Sequence, residues 1–234
     1  RNSKSIDVII FNEGEITFLE LVQKLEKNQT YSDVQGIIYR KGSNIIKNEL
    51  RKPLINLDEL PIPAPYFKYK RLITSRGCPG KCIFCDTPRL WGQRIRFRSP
   101  TNVVDEIEIL NKKYGISFFI MSDDTFTVIK KRTIEICKEI IKRNLKITWD
   151  CRSRVNFVCE ERLRWMKKAG CVTISYGIES GSQKMLDTMK KETTIEQITK
   201  AAKITRELGF NLNYFIIVGT PGETDDTIRE TMKL

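Results

Sequence analysis

Three cysteines lie within eight residues, in Cys78-Pro79-Gly80-Lys81-Cys82-Ile83-Phe84-Cys85, a C-x3-C-x2-C spacing. Thiolates are soft ligands, and so short a loop can wrap three corners of an iron–sulfur cubane. A zinc site is the competing reading. Zinc asks for a fourth thiolate or a histidine, and tetrahedral knuckles more often use pairs of C-x2-C. The chain has seven cysteines and no histidine. A fourth zinc ligand would therefore come through the fold from Cys151, Cys159 or Cys171. The lack of histidine also removes His triads, His–zinc catalysis and His general bases. An odd cysteine count without an export pattern at the N-terminus predicts a reducing, cytoplasmic setting and thiolate chemistry rather than disulfides.

Polar or glycine-rich residues recur just past each strand-like run. They are Arg76-Gly77-Cys78, Ser122-Asp123-Asp124, Asp150-Cys151-Arg152-Ser153-Arg154, Glu179-Ser180-Gly181-Ser182 and Gly219-Thr220-Pro221-Gly222-Glu223. In α/β sheets and barrels, ligands sit at the carboxyl ends of the strands. Five such segments predict one site on one rim.

The elements that must position them follow from periodicity. Strand-like runs Arg71–Ser75, Ile116–Met121, Lys146–Trp149, Val172–Tyr176 and Leu212–Val218 alternate with amphipathic helical patterns. Ser99-Pro100 opens the first helix, with Val103, Ile107, Leu110 and Tyr114 on one stripe. Ile134, Cys137 and Ile141 mark the second, and Leu163 and Met166 the third. Thr193 with Glu196 reads as a capping box for the fourth, which carries Ile195, Ile198, Ala202 and Leu208 and stops at Gly209. Asp225 and Asp226 open a fifth. This alternation predicts an α/β fold with a parallel sheet and right-handed crossovers, a partial barrel truncated after its fifth strand.

Residues 1–52 read differently. An apolar run, Ile6–Phe11, precedes a turn at Asn12-Glu13-Gly14 and a helix with Ile16, Leu19 and Leu25 on one face. A hairpin follows, Gln35–Arg40 and Ser43–Lys47. These elements bury little by themselves and read as the end of a domain. Residues 53–70, with Pro61, Pro63 and Pro65 alternating, read as an extended linker to a core over 71–234.

Hydrophobic residues at 40% and charged residues at 30% suit an ordinary globular protein. No apolar run reaches the ~20 residues needed to span a bilayer, so no transmembrane segment is expected. The net charge of +12 fits a Lys-rich solvated surface and also admits a nucleic-acid or acidic partner.

The cysteine loop resembles the signature of the radical S-adenosylmethionine superfamily, with Phe84 as the aromatic before the last cysteine. The resemblance covers Arg71–Leu234. Ser122-Asp123-Asp124-Thr125-Phe126, Gly177-Ile178-Glu179-Ser180-Gly181-Ser182 and Gly219-Thr220-Pro221-Gly222-Glu223-Thr224 resemble the branch that carries an N-terminal cobalamin-binding domain. That branch includes anaerobic cyclases and many methyltransferases. Asp7–Leu21 resembles the end of such an α/β domain. Ser122-Asp123-Asp124 stands where the superfamily usually has Gly-Gly-Glu. The chain has no histidine to serve as a lower cobalt ligand.

The resemblance implies that Cys78, Cys82 and Cys85 hold a [4Fe–4S] cluster whose fourth iron takes the amino and carboxylate groups of S-adenosylmethionine. Reductive cleavage would then give a 5′-deoxyadenosyl radical, serving cobalamin-linked methyl transfer or oxidative cyclisation. It further implies an electron donor such as flavodoxin or ferredoxin, and a small-molecule or lipid-like substrate. Phe84 would offer its backbone to the adenine, or is plain core. Ser122, Asp123 and Asp124 lie where the methionine amino group is held, and one of the two aspartates would hold it, unless a helix N-terminus takes the charge. Arg152 or Arg154 would pair with the methionine carboxylate, or with Asp123 or Asp150. Glu179 and Ser180 would hold the ribose hydroxyls. Gly219 and Gly222 would let backbone approach the adenine, or merely permit a turn. Met185, Met189 and Cys137 read as packing. A tRNA methylthiotransferase-like enzyme is a second reading, although residues 1–77 contain no cysteine for a second cluster. A zinc- or cluster-stabilised binding module is the non-enzymatic one.

Overall fold

The computed structural model describes residues 5–92 and 94–234. The chain divides into two units: a smaller one that ends at Ile55 and takes in Arg89–Trp91, and a larger one, Asn56–Pro88 with Gly92–Leu234.

In the smaller unit β1 (Val8–Ile10), α1 (Glu15–Glu26), β2 (Ile37–Lys41) and β3 (Asn44–Lys47) form an antiparallel sheet of order β1-β2-β3 beside one helix. The predicted hairpin is β2–β3, closed at Lys41 opposite Asn44. Val34, Ile37 and Tyr39 are its buried core, with Val8, Ile10, Tyr31 and Ile46 packed around them. The helix face differs from the expected one. Thr17 and Leu21 are buried, while Ile16, Leu19 and Leu25 are exposed. The Thr17 hydroxyl donates to the Gln35 carbonyl (3.1 Å) and accepts from Arg51 (2.9 Å). A polar tie, invisible to a hydrophobic periodicity count, thus sets the rotation of this helix.

The larger unit contains β4 (Arg71–Leu72), β5 (Ser75–Arg76), the short helix α2 (Thr87–Trp91) that straddles the division, β6 (Arg96–Phe97), α3 (Pro100–Tyr114), β7 (Phe118–Met121) and α4 (Lys130–Lys142). Then come β8 (Thr148–Ser153), α5 (Glu160–Lys168), β9 (Cys171–Glu179), α6 (Gln183–Thr188), α7 (Ile195–Glu207), β10 (Asn211–Ile216) and α8 (Asp225–Lys233). Five strands make one sheet, in the order β10-β9-β8-β7-β4, and every neighbouring pair is parallel. Sequence neighbours from β7 onward are also spatial neighbours, as in consecutive βα units.

The core is one cluster between sheet and helices. Val103, Ile107 and Leu110 of α3 meet Phe119 and Met121 of β7, and Trp149 lies against Phe126 with ring centroids 5.3 Å apart. Ser99 caps α3 by accepting from the Asn102 N–H, and Gly115 ends it at φ +67°. On α4 the buried residues include Thr133, Ile134, Ile136, Cys137 and Ile140. Of the expected Ile134–Cys137–Ile141 stripe, Ile134 and Cys137 are buried and Ile141 is exposed.

Four further differences follow from tertiary pairing. The expected strand Arg71–Ser75 breaks after Leu72, where Thr74 and Ser75 turn to bond Asp123 and the chain leaves the parallel sheet to pair β5 with β6. β8 runs on to Ser153, so Asp150–Ser153 is strand rather than loop. β9 runs through Glu179. The connector is packed from Asn56 onward: Leu57 and Ala64 are buried, and Asp58 accepts from the Ser99 N–H (2.9 Å).

The capping box of α7 is Thr194 with Gln197, one residue later than predicted. Thr193 is buried and its hydroxyl donates to the Lys191 carbonyl (3.1 Å). Thr194→Ala should therefore lower stability by about 1 kcal/mol, as loss of an N-cap does. The check is the midpoint of urea unfolding. Equal midpoints in the variant and the parent would assign the cap elsewhere.

Candidate functional site

The cysteine loop leaves the sheet beyond β4 through the β5–β6 ribbon. Gly77, at φ +102°, turns the chain into it, and a Cβ there would press on the Arg94 carbonyl oxygen at 3.2 Å. This is a backbone conformation that side-chain-bearing residues rarely adopt. All seven cysteines are free. Cys78 and Cys82 are half-buried and Cys85 is exposed. The Ile83 N–H donates to the Met189 carbonyl (3.1 Å), which pins the loop to the end of α6.

Side chains from two other strand ends reach this loop, and one from a third joins them through Lys191. Beyond β7, the Thr125 hydroxyl lies 3.5 Å from the Cys78 sulfur. Just past β8, Arg154 places Nη1 3.4 Å from the Cys82 sulfur. Its Nη2 donates to the Lys191 carbonyl and its Nε to Asn156 (3.4 Å). At the end of β9, Glu179 accepts from Lys191 Nζ at 2.6 Å. Lys191 Nζ also lies 5.8 Å from the centroid of the Phe84 ring. Cys82, Phe84, Arg154, Glu179 and Lys191 therefore form one contiguous group.

Lys191 is the residue that sequence reasoning missed. It sits in the run Met189-Lys190-Lys191-Glu192, which looks like an ordinary charged turn after a helix. Lys190 and Glu192 are both left-handed, at φ +52° and +54°. These two turns send Lys191 inward, where it is 5% exposed. The available signal was the unbroken dipeptide of lysines after two buried methionines, and it is weak.

Glu179 is aimed by an irregularity in the sheet. Phe215 faces Gly177 and Ile216 faces Glu179, so Ile178 is skipped as a bulge. Glu179 itself has φ +63°, a strained conformation held by the Ile217 N–H on its carbonyl (2.9 Å). Gly177 leaves the carboxylate its room, since a Cβ there would meet Oε1 at 2.5 Å.

The acidic segment after β7 divides its labour. Asp123 is 1% exposed. Its oxygens accept from the Thr74 N–H (2.6 Å) and hydroxyl (2.6 Å), and from the Ser75 N–H (3.2 Å) and hydroxyl (2.7 Å). Its acceptor capacity is spent within the protein. Asp124 is half-exposed beside the cysteine loop. Burial pushes its carboxyl above the usual range, while Thr87, Arg152 and the Gly77 backbone hold it down. Among the described residues, the Ser122 hydroxyl is buried without a hydrogen-bond partner.

Two other rim residues have partners outside this group. The Ser180 hydroxyl lies 3.1 Å from that of Thr231 and accepts from the Ser182 N–H (3.1 Å), so it docks α8. Gly219 has φ +88° with open space around it, and its N–H donates to Glu223 (2.6 Å). Neither touches the cysteine loop. Cys137, Cys151 and Cys171 are core packing. Burial pushes Cys137 and Cys171 far up, so neither offers a ready thiolate. Burial raises the Cys82 thiol, and Lys191 and Arg154 offset only part of that rise.

Residues 72–234 match the family described as the Radical SAM superfamily. The chain belongs to that superfamily. An uncharacterized methyltransferase of Pyrococcus horikoshii is 38% identical over 100% of this chain and 53% of its own length. The anaerobic magnesium-protoporphyrin IX monomethyl ester cyclase of Rubrivivax gelatinosus is 34% identical over 98% of this chain and 44% of its own. Among solved structures, the cobalamin-dependent S-adenosylmethionine radical enzyme OxsB superposes with a TM-score of 0.82 at 27% identity, over 97% of this chain and 35% of that one. The chain thus spans about half, or less, of the proteins it matches. The α/β fold with its parallel sheet is that of the OxsB core.

The superfamily implies a [4Fe–4S] cluster and S-adenosylmethionine, and the donor set fits them. In a cubane each of the three thiolates takes its own iron. Arg154 is 5% exposed, and its hydrogen-bond partners are a thiol, a carbonyl and an amide rather than a carboxylate. A buried guanidinium without a counter-ion is costly. Three thiolates around an iron–sulfur cluster supply the missing negative charge.

Proposed function

We propose that this chain is the radical-generating part of a cobalamin-linked enzyme that transfers a methyl group or closes a ring oxidatively. The observation that carries the reading is the group formed by the Cys78–Cys85 loop, Arg154 and Glu179 from separate strand ends, and Lys191 from the turn after α6. The methyltransferase and cyclase relatives, and the likeness to OxsB, support the cobalamin-linked branch. When bound, the cluster supplies one electron to the sulfonium of S-adenosylmethionine, whose cleavage yields a 5′-deoxyadenosyl radical.

The chain's own residues bind and orient. Cys78, Cys82 and Cys85 take three irons. Ser122, with its unused hydroxyl, and Asp124 are better placed than Asp123 to receive the methionine amino group. Lys191 offers a cation to the methionine carboxylate, and Glu179 accepts from the ribose hydroxyls while holding Lys191 in place. Phe84 walls the loop beside Lys191. A small electron-transfer protein such as flavodoxin or ferredoxin supplies the reductant, and the basic surface suits an acidic partner of that kind. The substrate is a small or lipid-like molecule.

The test is anaerobic reconstitution followed by iron, zinc and product analysis. About four irons per chain are expected for a single cubane, together with 5′-deoxyadenosine after reduction in the presence of S-adenosylmethionine. One zinc per chain and no iron would replace this reading with a zinc-stabilised module. Glu179→Gln should keep the iron but weaken S-adenosylmethionine binding by about 1–3 kcal/mol, as loss of a charged hydrogen bond does. Titration calorimetry on the reconstituted protein measures it. Unchanged affinity would make Glu179 a purely structural partner of Lys191.

A further inference from the structure

We infer that Arg154 sets the reduction potential of the cluster by donating a hydrogen bond to the Cys82 sulfur, and that Gly80 exists to leave room for it. The inference rests on the proposed cluster reading and adds to it a residue that acts on the electron-transfer step.

Arg154 is a charged residue at the end of a buried strand, and the resemblance alone would send it to the methionine carboxylate. The geometry sends it elsewhere. Each of its three guanidinium nitrogens has a protein partner, and the one nearest the cysteine loop points at the Cys82 sulfur, 3.4 Å away. Gly80 sits directly over that contact. A Cβ at position 80 would collide with Arg154 Nη1, and would lie 3.5 Å from the Cys78 sulfur. Gly80 has no left-handed backbone to justify a glycine. Its lack of a side chain therefore serves the approach of the guanidinium.

The far side of the guanidinium is fixed to the Lys191 carbonyl, and Lys191 is fixed to Glu179. Arg154 thus cannot swing away without breaking a buried chain of contacts. An N–H donor and a buried positive charge at a cluster sulfur stabilise the reduced, more negative state over the oxidised one. Hydrogen bonds to sulfur and net charge are recognised controls of cluster potential. The contact makes the first electron easier to accept, and S-adenosylmethionine cleavage needs that electron.

The experiment is a redox titration of the reconstituted protein without S-adenosylmethionine, followed by the paramagnetic signal of the reduced cluster. Arg154→Gln should keep its iron yet lower the midpoint. At a fixed potential the reduced fraction would fall about tenfold, or about 59 mV for a one-electron couple. Arg154→Lys keeps the charge but loses the fork, so its shift should be smaller. Gly80→Ala should move the midpoint the same way with Arg154 still present, because its Cβ would force Arg154 Nη1 off the Cys82 sulfur at the expense of the guanidinium's other contacts. Lys138→Gln, an exposed cation on α4, should leave the midpoint unchanged.

If Arg154→Gln does not accumulate, Gly80→Ala decides the matter. Midpoints equal to the parent's in Arg154→Gln and Gly80→Ala, both with full iron, would overturn the inference. Absence of iron from the parent protein would instead overturn the cluster reading beneath it, so the two failures are distinct.

Discussion

Replacing any one of Cys78, Cys82 or Cys85 with Ala should abolish the bound iron, the brown absorbance and the paramagnetic signal of the reduced cluster. Loss of one thiolate leaves two irons without a protein ligand, and a cubane held by two corners on so short a loop does not persist. Cys137→Ala should keep all three signals, because Cys137 is fully buried on α4 and its thiol is pushed up by burial. Cys171→Ala should do the same from the buried start of β9. The comparison needs only anaerobic iron analysis and absorbance on matched preparations. Should Cys151 or Cys171 prove as necessary as the loop cysteines, four thiolates rather than three hold the metal, and no iron is left open for S-adenosylmethionine.

Asp123→Ala should damage folding rather than cofactor binding. The substitution strips the partner from two buried backbone N–H groups and two hydroxyls at Thr74 and Ser75. Each buried donor left unsatisfied costs about 1–3 kcal/mol, and the hydroxyls can rotate to other acceptors, so a loss of about 3–5 kcal/mol is expected. The same bonds turn the chain out of the sheet after β4, and Arg132 adds a donor to the Thr74 carbonyl (2.7 Å). The approach to Gly77 and the cysteine loop depends on that corner. Chemical denaturation of the unreconstituted variant reads the effect without any cofactor. Wild-type stability combined with weakened S-adenosylmethionine binding would return Asp123 to the ligand role that its neighbours in sequence suggested. Asp123→Asn keeps one acceptor oxygen and should fall between the two.

The sequence alone made the cysteine motif and the architecture legible. The cysteine spacing is a local property, because three ligands on eight residues need little help from the fold. The alternation of apolar runs and amphipathic stripes is also local, and it places five strands in parallel with their polar ends together. Strand limits, helix rotation and caps were off by one to a few residues where a polar bond of a buried side chain intervened. Thr17 turned α1, Asp123 broke the first strand, and Thr193 was drawn inward so that Thr194 took the cap.

Only the tertiary structure decided which polar residues at the rim face the site. Asp123 and Asp124 are adjacent and chemically identical, yet one is saturated by Thr74 and Ser75, some 49 positions away, and the other stays available. Glu179 and Ser180 are likewise adjacent. A bulge and a left-handed residue send the first toward Lys191, while the second docks α8. Lys191 itself looked like a solvated charge until two left-handed neighbours turned it into the protein. A side chain's direction at a strand end depends on the partner strand's register and on distant donors, and neither is written in the residues beside it.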